Sequence, residues 1–420
     1  MTTPRRNWAG DRVIAGARLH EPRSLGELRE LVARLPHVRA VGSGHTFNDL
    51  PDSRGDLVSL EAMPRHLEVD PRGTVTIDGA MRYAEVCEPL DRAGFALEAM
   101  ASLAHISVAG ACATGTHGSG DRTRSLAAAV TAMDVVTATG DLVTIDRSTP
   151  AGELAGVVVS LGALGIVTRI TLATVPRYEV RQDVYEDVLL DSVVDQLDVV
   201  TALADSVSLF TTWGDRRFHQ VWCKARSDHE YDPARVAEVL RGRRAIVPHH
   251  PIPGHDPVAC TTQLGVVGPW HERLPHFRSD QVPSSGAELQ SEYLIDRRDG
   301  ARALRALFDA SAGFASVCQV SEVRTVESDD LWLSPAFGRP SLALHFTWQL
   351  DHARVAEALP VVEAALAPYG PRPHWGKMWT MPVGRVRASQ PRLADFVALR
   401  ERWDPGRKFA NRYVDALLGE

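Results

Sequence analysis

The chain has 420 residues, which is more than one compact core usually holds and enough for two domains. Its composition, 44% hydrophobic and 24% charged, is ordinary for a globular protein. The net charge of -7 argues against a nucleic-acid-binding surface, and no stretch approaches the roughly 20 apolar residues of a membrane span.

The N-terminal segment and the cysteines indicate a cytoplasmic protein. Arg5 and Arg6 are not followed by the apolar stretch of a secretory signal. The five cysteines are dispersed and form no CxxC pair, which predicts reduced, buried thiols rather than a disulfide framework or a zinc site. We therefore expect a soluble cytoplasmic enzyme without a metal, a membrane or a nucleic-acid partner.

The first elements are a helix and a strand that leads into a glycine loop. Ser24 and Glu27 fit a capping box, and apolar residues at helical spacing continue the helix to about Leu35. A short strand over 38–41 runs directly into the loop. Further predicted elements are strands at 57–60, 74–77, 130–137, 142–145, 169–174, 207–212 and 342–348, and helices at 83–92 and 393–402.

The pattern of elements changes near Pro176. Before it, short strands and small-residue loops dominate, and after it charged helical segments alternate with longer strands. This change predicts an α+β architecture with two domains and a boundary near Pro176.

Three segments resemble known cofactor- or metal-binding motifs, but their residue spacing does not match those motifs. The glycines at 118–120 lack the third glycine of a dinucleotide fingerprint, and 370–377 is one residue too long for a P-loop. In the segment 271–276, three residues separate Glu272 from His276, and Pro275 interrupts the helix that a zinc-binding HExxH motif needs.

Two loops rich in small residues offer backbone N–H groups to an anion. The first, GSGHT at 42–46, follows a strand, and the second, TGTHG, covers 114–118. Amides without bulky side chains in front of them can converge on a diphosphate, and Ser43 and Thr46 add hydroxyl donors. The alternative is that both are ordinary tight turns in which glycine supplies positive φ, and either loop alone favours that alternative.

Taken together, the two loops resemble the FAD-binding module of the vanillyl-alcohol oxidase superfamily. The resemblance rests on GSGHTFN at 42–48 and SVAGACATGTHG at 107–118. Within the superfamily it is strongest to the branch of aldonolactone and alditol (xylitol) oxidases. It extends over nearly the whole chain, through segments 270–278, 284–293, 372–377 and 391–396.

This resemblance implies a two-domain, α+β fold of the vanillyl-alcohol-oxidase (PCMH) type. Residues 1–176 and 375–420 would form the FAD-binding domain, and residues 177–374 an α+β substrate-binding cap domain. His45 would carry FAD covalently, through the 8α-methyl group of the flavin. The other expected cofactor contacts are Val41, Gly42, Ser43, Gly44, Thr46, Phe47, Ser102, Ser107, Gly110, Thr114, Gly115, Thr116, His117, Ile166, Val167 and His374.

The resemblance also implies a polyol site, formed by Ser102, Glu322, Arg324, His345, Thr347 and Lys377. Glu322 and Arg324 are two residues apart on one predicted strand, so both side chains point to one face, as do His345 and Thr347. A substrate made of hydroxyl groups needs such polar partners once it is buried. Without the resemblance, a solvent-facing Glu–Arg pair, a half-buried histidine and an exposed loop lysine are the simpler interpretations.

The implied reaction is oxidation of the terminal primary alcohol of an alditol, such as xylitol or sorbitol, to the aldose. It would proceed by hydride transfer to the flavin N5, with O2 reduced to H2O2, in a protein expected to act as a monomer. His345 is the first candidate for the base, because a histidine pKa is the most easily matched to neutral pH. Arg324 and Lys377 would stabilise developing negative charge, and Glu322 completes the expected catalytic set.

Competing interpretations share part of this evidence. An aldonolactone oxidase, or a flavin dehydrogenase with another electron acceptor, would have the same loops and the same His45. A non-catalytic nucleotide- or sugar-binding module would instead give colourless protein or a freely released flavin. Ala104 stands where the relatives are expected to have proline, which could loosen the loop that holds Ser102, and the small Ala101 would leave O2 a path to the flavin.

Overall fold

The computed structural model describes residues 5–149, 152–281 and 287–419, so the start of the 284–293 motif lies outside the described residues. Up to the predicted boundary the chain forms β1 Leu19–His20, α1 Leu25–Arg34, β2 Val38–Ala40, β3 Asp56–Val58, β4 Leu67–Asp70, β5 Thr74–Asp78, α2 Tyr83–Arg92, β6 Phe95–Ala96, α3 Val108–Ala113, β7 Val130–Val136, β8 Leu142–Asp146, α4 Glu153–Val158, β9 Ile166–Ala173 and β10 Val175–Pro176.

Longer strands dominate the rest of the chain. Its elements are β11 Glu179–Leu189, α5 Leu190–Val194, α6 Leu197–Thr201, β12 Ser206–Thr211, β13 Arg217–Arg226, α7 Pro233–Leu240, β14 Arg243–Arg244, β15 Gly268–Pro269, β16 Glu288–Asp296, α8 Gly300–Ala310, β17 Cys318–Val326, β18 Ser341–Gln349, α9 His352–Leu366, β19 Arg372–Pro373, α10 Val383–Ala388, α11 Leu393–Trp403 and α12 Arg412–Leu418.

Helix α1 begins where the sequence predicts, although its cap differs in one partner. The Ser24 hydroxyl accepts a hydrogen bond from the Glu27 amide at 3.2 Å, as expected. The Glu27 carboxylate, however, accepts from the Arg23 amide at 2.6 Å rather than from Ser24. Leu28 and Val32 are fully buried on the inner face of the helix, which fixes α1 against the first sheets.

The N-terminal part contains two main sheets that share a core with the C-terminal helices. The parallel sheet has the order β1-β3-β2, and the antiparallel one has the order β4-β5-β9-β7-β8, which includes the predicted hairpin β7–β8. Leu399 of α11 and Val414 of α12 are buried in the same apolar cluster as α2, α3 and β9. The C-terminal helices therefore pack on the N-terminal part of the chain.

The middle of the chain forms a large sheet with a separate core. Its order is β14-β11-β13-β12-β17-β18-β16-β19, with β15 pairing with β11. Helices α8 and α9 cover one face, where Leu304 and Leu359 are buried beside the aromatic rings of Trp213 and Phe346. The opposite face carries polar side chains on β16, β17 and β18, and that face forms part of the cavity described below.

The structure also shows the environments of the cysteines and of the two histidines in segment 271–276. All five cysteines are buried and free, as predicted. His271 lies in a short 3₁₀ turn and is half-buried, whereas His276 is buried and bonded elsewhere, so the two imidazoles do not form a zinc pair. Within the described ranges, no helix is long and apolar enough to cross a membrane.

Candidate active site

A cavity of about 330 Å³ lies between the N-terminal loops and the polar face of the large sheet. One wall is formed by residues 39–47 and by the segment around α3, and the other by β16, β17 and β18. The two predicted small-residue loops and the predicted polyol residues therefore face a common space, although they are far apart in the sequence.

The first loop is held against the start of α3. The Ser43 hydroxyl accepts a hydrogen bond from the Ser107 amide at 3.1 Å. A Cβ on Gly42 would lie 2.4 Å from the Ser107 hydroxyl oxygen, so a larger residue there would force the Ser107 side chain to turn away. Gly44 has φ +78°, which is the left-handed region that glycine adopts without strain.

His45 is half-buried at the cavity wall, and both of its ring nitrogens are shielded from solvent. Its ring stacks on Trp8 with centroids 5.0 Å apart and planes inclined by 24°. Neither ring nitrogen has a hydrogen-bond partner among the described residues. Burial, together with the nearby His105 and Arg82, lowers the pKa of His45 to about 3. A neutral imidazole with an unpartnered nitrogen is a nucleophile, which fits attachment of a cofactor.

The C-terminal segment 374–377 closes the first loop from the other side. The Phe47 amide donates to the Gly376 carbonyl at 2.8 Å. The Asn48 side-chain amide donates to the carbonyls of Trp375 and Lys377 at 2.7 and 2.8 Å. These bonds position Lys377 beside a loop more than three hundred residues earlier in the chain.

The second loop brings two of the predicted contacts together. His374 Nδ1 accepts from the Gly376 amide at 3.1 Å, so the ring hydrogen is on Nε2, which lies 3.3 Å from the Thr116 hydroxyl. Burial, followed by the charge of Lys377, lowers the pKa of His374 to about 3. His374 is therefore a neutral donor at physiological pH.

Most of the expected cofactor contacts line the cavity, and two do not. Val167 lines it, whereas the neighbouring Ile166 points into the apolar cluster around α1. Gly115 has φ +64°, and a Cβ there would lie 2.8 Å from the ring of Pro335, which does not line the cavity. Strand alternation explains the first difference, and the left-handed turn explains the second. The expected contacts that do line the cavity are Val41, Gly42, Ser43, Gly44, His45, Thr46, Phe47, Ser102, Ser107, Gly110, Thr114, Thr116, His117, Val167 and His374.

Four of the six expected polyol residues lie on paired strands, as their spacing predicts. Glu322 and Arg324 are on β17, His345 and Thr347 are on β18, and all four line the cavity. In the antiparallel register, Glu322 is opposite His345. Glu322 and Arg324 are only 5% and 7% exposed, so they are not a solvent-facing ion pair. Lys377 also lines the cavity, and its side chain is 15% exposed.

A buried carboxylate that the sequence reasoning did not single out joins these groups. Glu292 on β16 is 1% exposed, and its oxygens lie 2.7 Å from Lys377 Nζ, 3.1 Å from Arg324 Nη2 and 3.2 Å from His117 Nε2. Burial opposes its ionisation, but the charges of these three groups hold the pKa of Glu292 well below its usual value. Gln290 and Glu292 alternate on one strand face, which is the same signal that identified Glu322 and Arg324.

His345 differs from the expectation in its acid–base behaviour. Burial, followed by the charge of Lys377, lowers its pKa well below the usual value. Its Nε2 lies 3.2 Å from the Gln290 side-chain oxygen, which can only accept, so Nε2 carries the hydrogen and Nδ1 the lone pair. The ring is thus neutral and able to accept a proton, but its pKa is not close to neutral pH.

The loop that holds Ser102 is fixed despite the alanine at 104. The Ser102 carbonyl accepts from the amides of His276 and Phe277, and its hydroxyl accepts from Arg324 Nη1 at 3.3 Å. Ala104 is buried and its carbonyl accepts from the Ala84 amide at 2.8 Å. Backbone hydrogen bonds therefore hold this loop in place without a proline at 104.

Comparison with known proteins gives consistent matches. A family model described as an FAD binding domain matches residues 17–146, and one described as D-arabinono-1,4-lactone oxidase matches residues 287–417. The chain is 45% identical to an alditol oxidase of Streptomyces sp. (strain IKD472 / FERM P-14339), over 100% of both chains. It is 29% identical to an L-gulono-1,4-lactone dehydrogenase of Mycobacterium tuberculosis, over 98% of both chains.

A solved structure shares the fold. The crystal structure of cholesterol oxidase from B. sterolicum superimposes with a TM-score of 0.76, covering 99% of this chain and 96% of the other, at 13% sequence identity.

Proposed function

Because the chain belongs to the alditol and aldonolactone oxidase branch of the vanillyl-alcohol oxidase superfamily, we propose that it is an FAD-dependent alditol oxidase. The expected substrates are alditols such as xylitol and sorbitol, whose terminal primary alcohol is oxidised to the aldose. The expected electron acceptor is O2, which is reduced to H2O2.

The observation that carries this proposal is the polar face opposite the flavin-binding loops. Glu322, Arg324, His345 and Thr347 line one cavity from two paired strands, and Lys377 reaches it from the C-terminal segment. A polyol has a hydroxyl on every carbon, so its burial requires several donors and acceptors in one cavity. This set supplies carboxylate, guanidinium, ammonium, imidazole and hydroxyl groups together.

The residues divide into binding groups and groups that act on the reacting hydroxyl. The carboxylate of Glu322 accepts from substrate hydroxyls, while Arg324 and the hydroxyls of Ser102 and Thr347 donate to substrate oxygens. Lys377 is placed to stabilise negative charge on the reacting oxygen. When bound, FAD accepts the two electrons that the alcohol carbon releases.

His345 is the proposed acceptor of the hydroxyl proton. Its pKa is low because it is buried beside Lys377, so its ring is neutral and has a free lone pair at neutral pH. A cation close to the reacting oxygen lowers the pKa of the bound hydroxyl, which compensates for the weak base. His345→Ala should abolish reduction of bound flavin by xylitol without releasing the flavin, and near-normal reduction would exclude this role.

We further propose that FAD is covalently bound to His45. The neutral ring and its unpartnered nitrogens support this attachment. After denaturation in acid, the flavin fluorescence should remain with the polypeptide in the parent protein and be lost from His45→Ala. His66→Ala, which changes an exposed histidine, is the matched control and should keep its flavin.

The proposed domain boundaries, 1–176 with 375–420 and 177–374, are supported by two main apolar cores, although Trp270 and Trp332 pack in the first core and Phe47 in the second. The first core includes residues of α2, α3, α11 and α12, and the second includes residues of β12, α8, β18 and α9. Trp375 belongs to the first core, which is why the boundary is placed at 375.

A lactone oxidase or a lactone dehydrogenase is the second candidate. The family model described as D-arabinono-1,4-lactone oxidase covers residues 287–417, a range that includes Glu322, Arg324, His345 and Lys377. The polar face can therefore belong to an enzyme for either substrate class.

Peroxide release distinguishes these candidates. The purified yellow protein is mixed in air with xylitol, sorbitol or L-gulono-1,4-lactone, and H2O2 is followed continuously. Release with the alditols and little with the lactone supports the proposal. Release with the lactone alone would replace it with the second candidate. Alditol oxidation only with an artificial electron acceptor would instead indicate a flavin dehydrogenase.

A further inference from the structure

A buried lysine lies behind the polar face. The chain has only three lysines, Lys224, Lys377 and Lys408, and its other side-chain cations are arginines and histidines. Lys224 on β13 is 1% exposed. Its Nζ donates to the carbonyls of Leu274 and Pro275, at 2.6 and 2.8 Å, and lies 3.1 Å from His276 Nδ1. Three acceptors match the three hydrogens of an ammonium group.

These contacts determine which nitrogen of His276 carries the hydrogen. Burial lowers the pKa of Lys224 to about 7, so below that pH Lys224 is an ammonium that can only donate. Nδ1 of His276 then accepts from Lys224, and the ring hydrogen lies on Nε2. Nε2 is 2.8 Å from Glu322 Oε1 and donates to it. The sequence Lys224–His276–Glu322 is thus a directed chain of hydrogen bonds that ends at the cavity.

The surroundings of His276 keep the ring neutral. Burial, with the charges of Lys224 and Arg324, lowers its pKa to about 4, although Glu322 acts in the opposite direction. The rings of Phe210 and Trp222 pack against its edges at centroid distances of 5.7 and 5.2 Å. A neutral ring has two tautomers, and the ammonium of Lys224 and the carboxylate of Glu322 both favour the one with hydrogen on Nε2.

The alternative tautomer would disturb the carboxylate. With the hydrogen on Nδ1, the lone pair of Nε2 would face the Glu322 oxygen at 2.8 Å and repel it. Arg324 Nη1 lies 3.6 Å from the other oxygen of Glu322, so the carboxylate would be drawn towards Arg324. Glu322 lines the main cavity, which leaves space for such a movement.

We propose that Lys224 is a positioning residue that fixes the tautomer of His276 and thereby holds Glu322 in place to accept a hydroxyl of the alditol. This rests on the proposed function for its substrate, but the tautomer itself does not. Glu322 binds substrate in this account, so loss of Lys224 should weaken alditol binding more than it slows the chemical step.

The kinetic test uses Lys224→Met, with Lys408→Met as the matched control on the distant α1 side of the protein. We expect KM for xylitol to rise about tenfold or more in Lys224→Met, with a smaller change in kcat, and no change in the control. His276→Gln should retain most activity, because a glutamine can accept from Lys224 and donate to Glu322, whereas His276→Leu should behave like Lys224→Met. A rise in KM below twofold in flavin-loaded Lys224→Met would overturn the proposal.

The tautomer is measured independently of turnover. In protein labelled with ¹⁵N-histidine, the His276 ring signals are assigned by their absence from His276→Gln. Between pH 4 and pH 7, where His276 is neutral and Lys224 is charged, the expected spectrum is a ring with hydrogen on Nε2. In Lys224→Met it changes towards the other tautomer or towards protonation. A hydrogen on Nδ1 in the parent protein would overturn the proposal. If the parent protein does not oxidise xylitol, the substrate role falls with the proposed function, and the spectrum alone decides the positioning of His276.

Discussion

The Glu292 carboxylate is the counter-charge of two buried cations of the site, Lys377 and Arg324. It lies 2.7 Å from Lys377 Nζ and 3.1 Å from Arg324 Nη2, and it is 1% exposed. At an effective dielectric constant of about 20, each pair at these distances attracts by roughly 5–6 kcal/mol. Desolvation of the buried ions offsets much of this attraction, and the usual cost of removing one partner is about 3–5 kcal/mol.

Glu292→Gln should therefore lower the free energy of unfolding by about 3–5 kcal/mol, although the side chain keeps its shape. The new amide places either a neutral oxygen or an N–H group against the ammonium of Lys377, so the buried cation loses its counter-charge. The pKa of Lys377, which burial already lowers and Glu292 raises, should fall further. The pH profile of kcat/KM for xylitol should then lose activity at lower alkaline pH than in the parent protein.

Urea unfolding of the flavin-loaded protein, followed by tryptophan fluorescence, measures the first effect. Glu357→Gln on the exposed side of α9 is the matched control and should change the free energy of unfolding by less than about 0.5 kcal/mol. A loss below about 1 kcal/mol in Glu292→Gln, with an unchanged pH profile, would refute the assignment of Glu292 as the central counter-charge.

Three further predictions concern other parts of the structure. Asn48→Ala should lower the free energy of unfolding in urea by about 1–3 kcal/mol, because the Lys377 carbonyl loses its donor while the Trp375 carbonyl keeps the Tyr413 hydroxyl. No loss of stability would contradict that role. Gly79→Ala places a Cβ 2.3 Å from a backbone carbonyl oxygen of β9, so it should lower the free energy of unfolding by about 1–3 kcal/mol and reduce flavin content. Gly384→Ala is the control and should change neither, because a Cβ at that position has open space. Acidification from pH 7 to pH 5 should lower the free energy of unfolding by about 2 kcal/mol for each of His276 and His374. Their folded pKa values, about 4 and 3, lie below the unfolded value. Their stabilisation is complete above the unfolded pKa and is lost as the pH falls, so equal urea midpoints at pH 7 and 5 would be inconsistent with buried neutral rings.

Local sequence signals predicted the elements that carry the loops. Helix α2 spans Tyr83–Arg92 as expected from its apolar spacing, and the hairpin β7–β8 forms where the turn residues placed it. The resemblance to the vanillyl-alcohol oxidase superfamily added the connection between distant loops, and the predicted α+β, two-domain fold is confirmed by the full-length matches. Strand alternation correctly placed Glu322 and Arg324 on one face.

The remaining features depend on contacts that no local pattern contains. Glu292 becomes important only because β16 pairs with β18 and brings it near Lys377, whose segment is held by Asn48. The role of Lys224 depends on a loop carbonyl fifty residues later in the chain. The left-handed turn at Gly115 likewise depends on the fold, because membership of a glycine-rich motif does not reveal which way the backbone turns.

Anaerobic mixing of the flavin-loaded protein with xylitol tests the central proposal most directly, because it isolates oxidation of the alditol from the identity of the electron acceptor. The yellow flavin absorbance should bleach in the parent protein and persist in His345→Ala, which retains the flavin. Bleaching by L-gulono-1,4-lactone but not by xylitol or sorbitol, in protein with full flavin content, would contradict alditol oxidation and assign the cavity to a lactone.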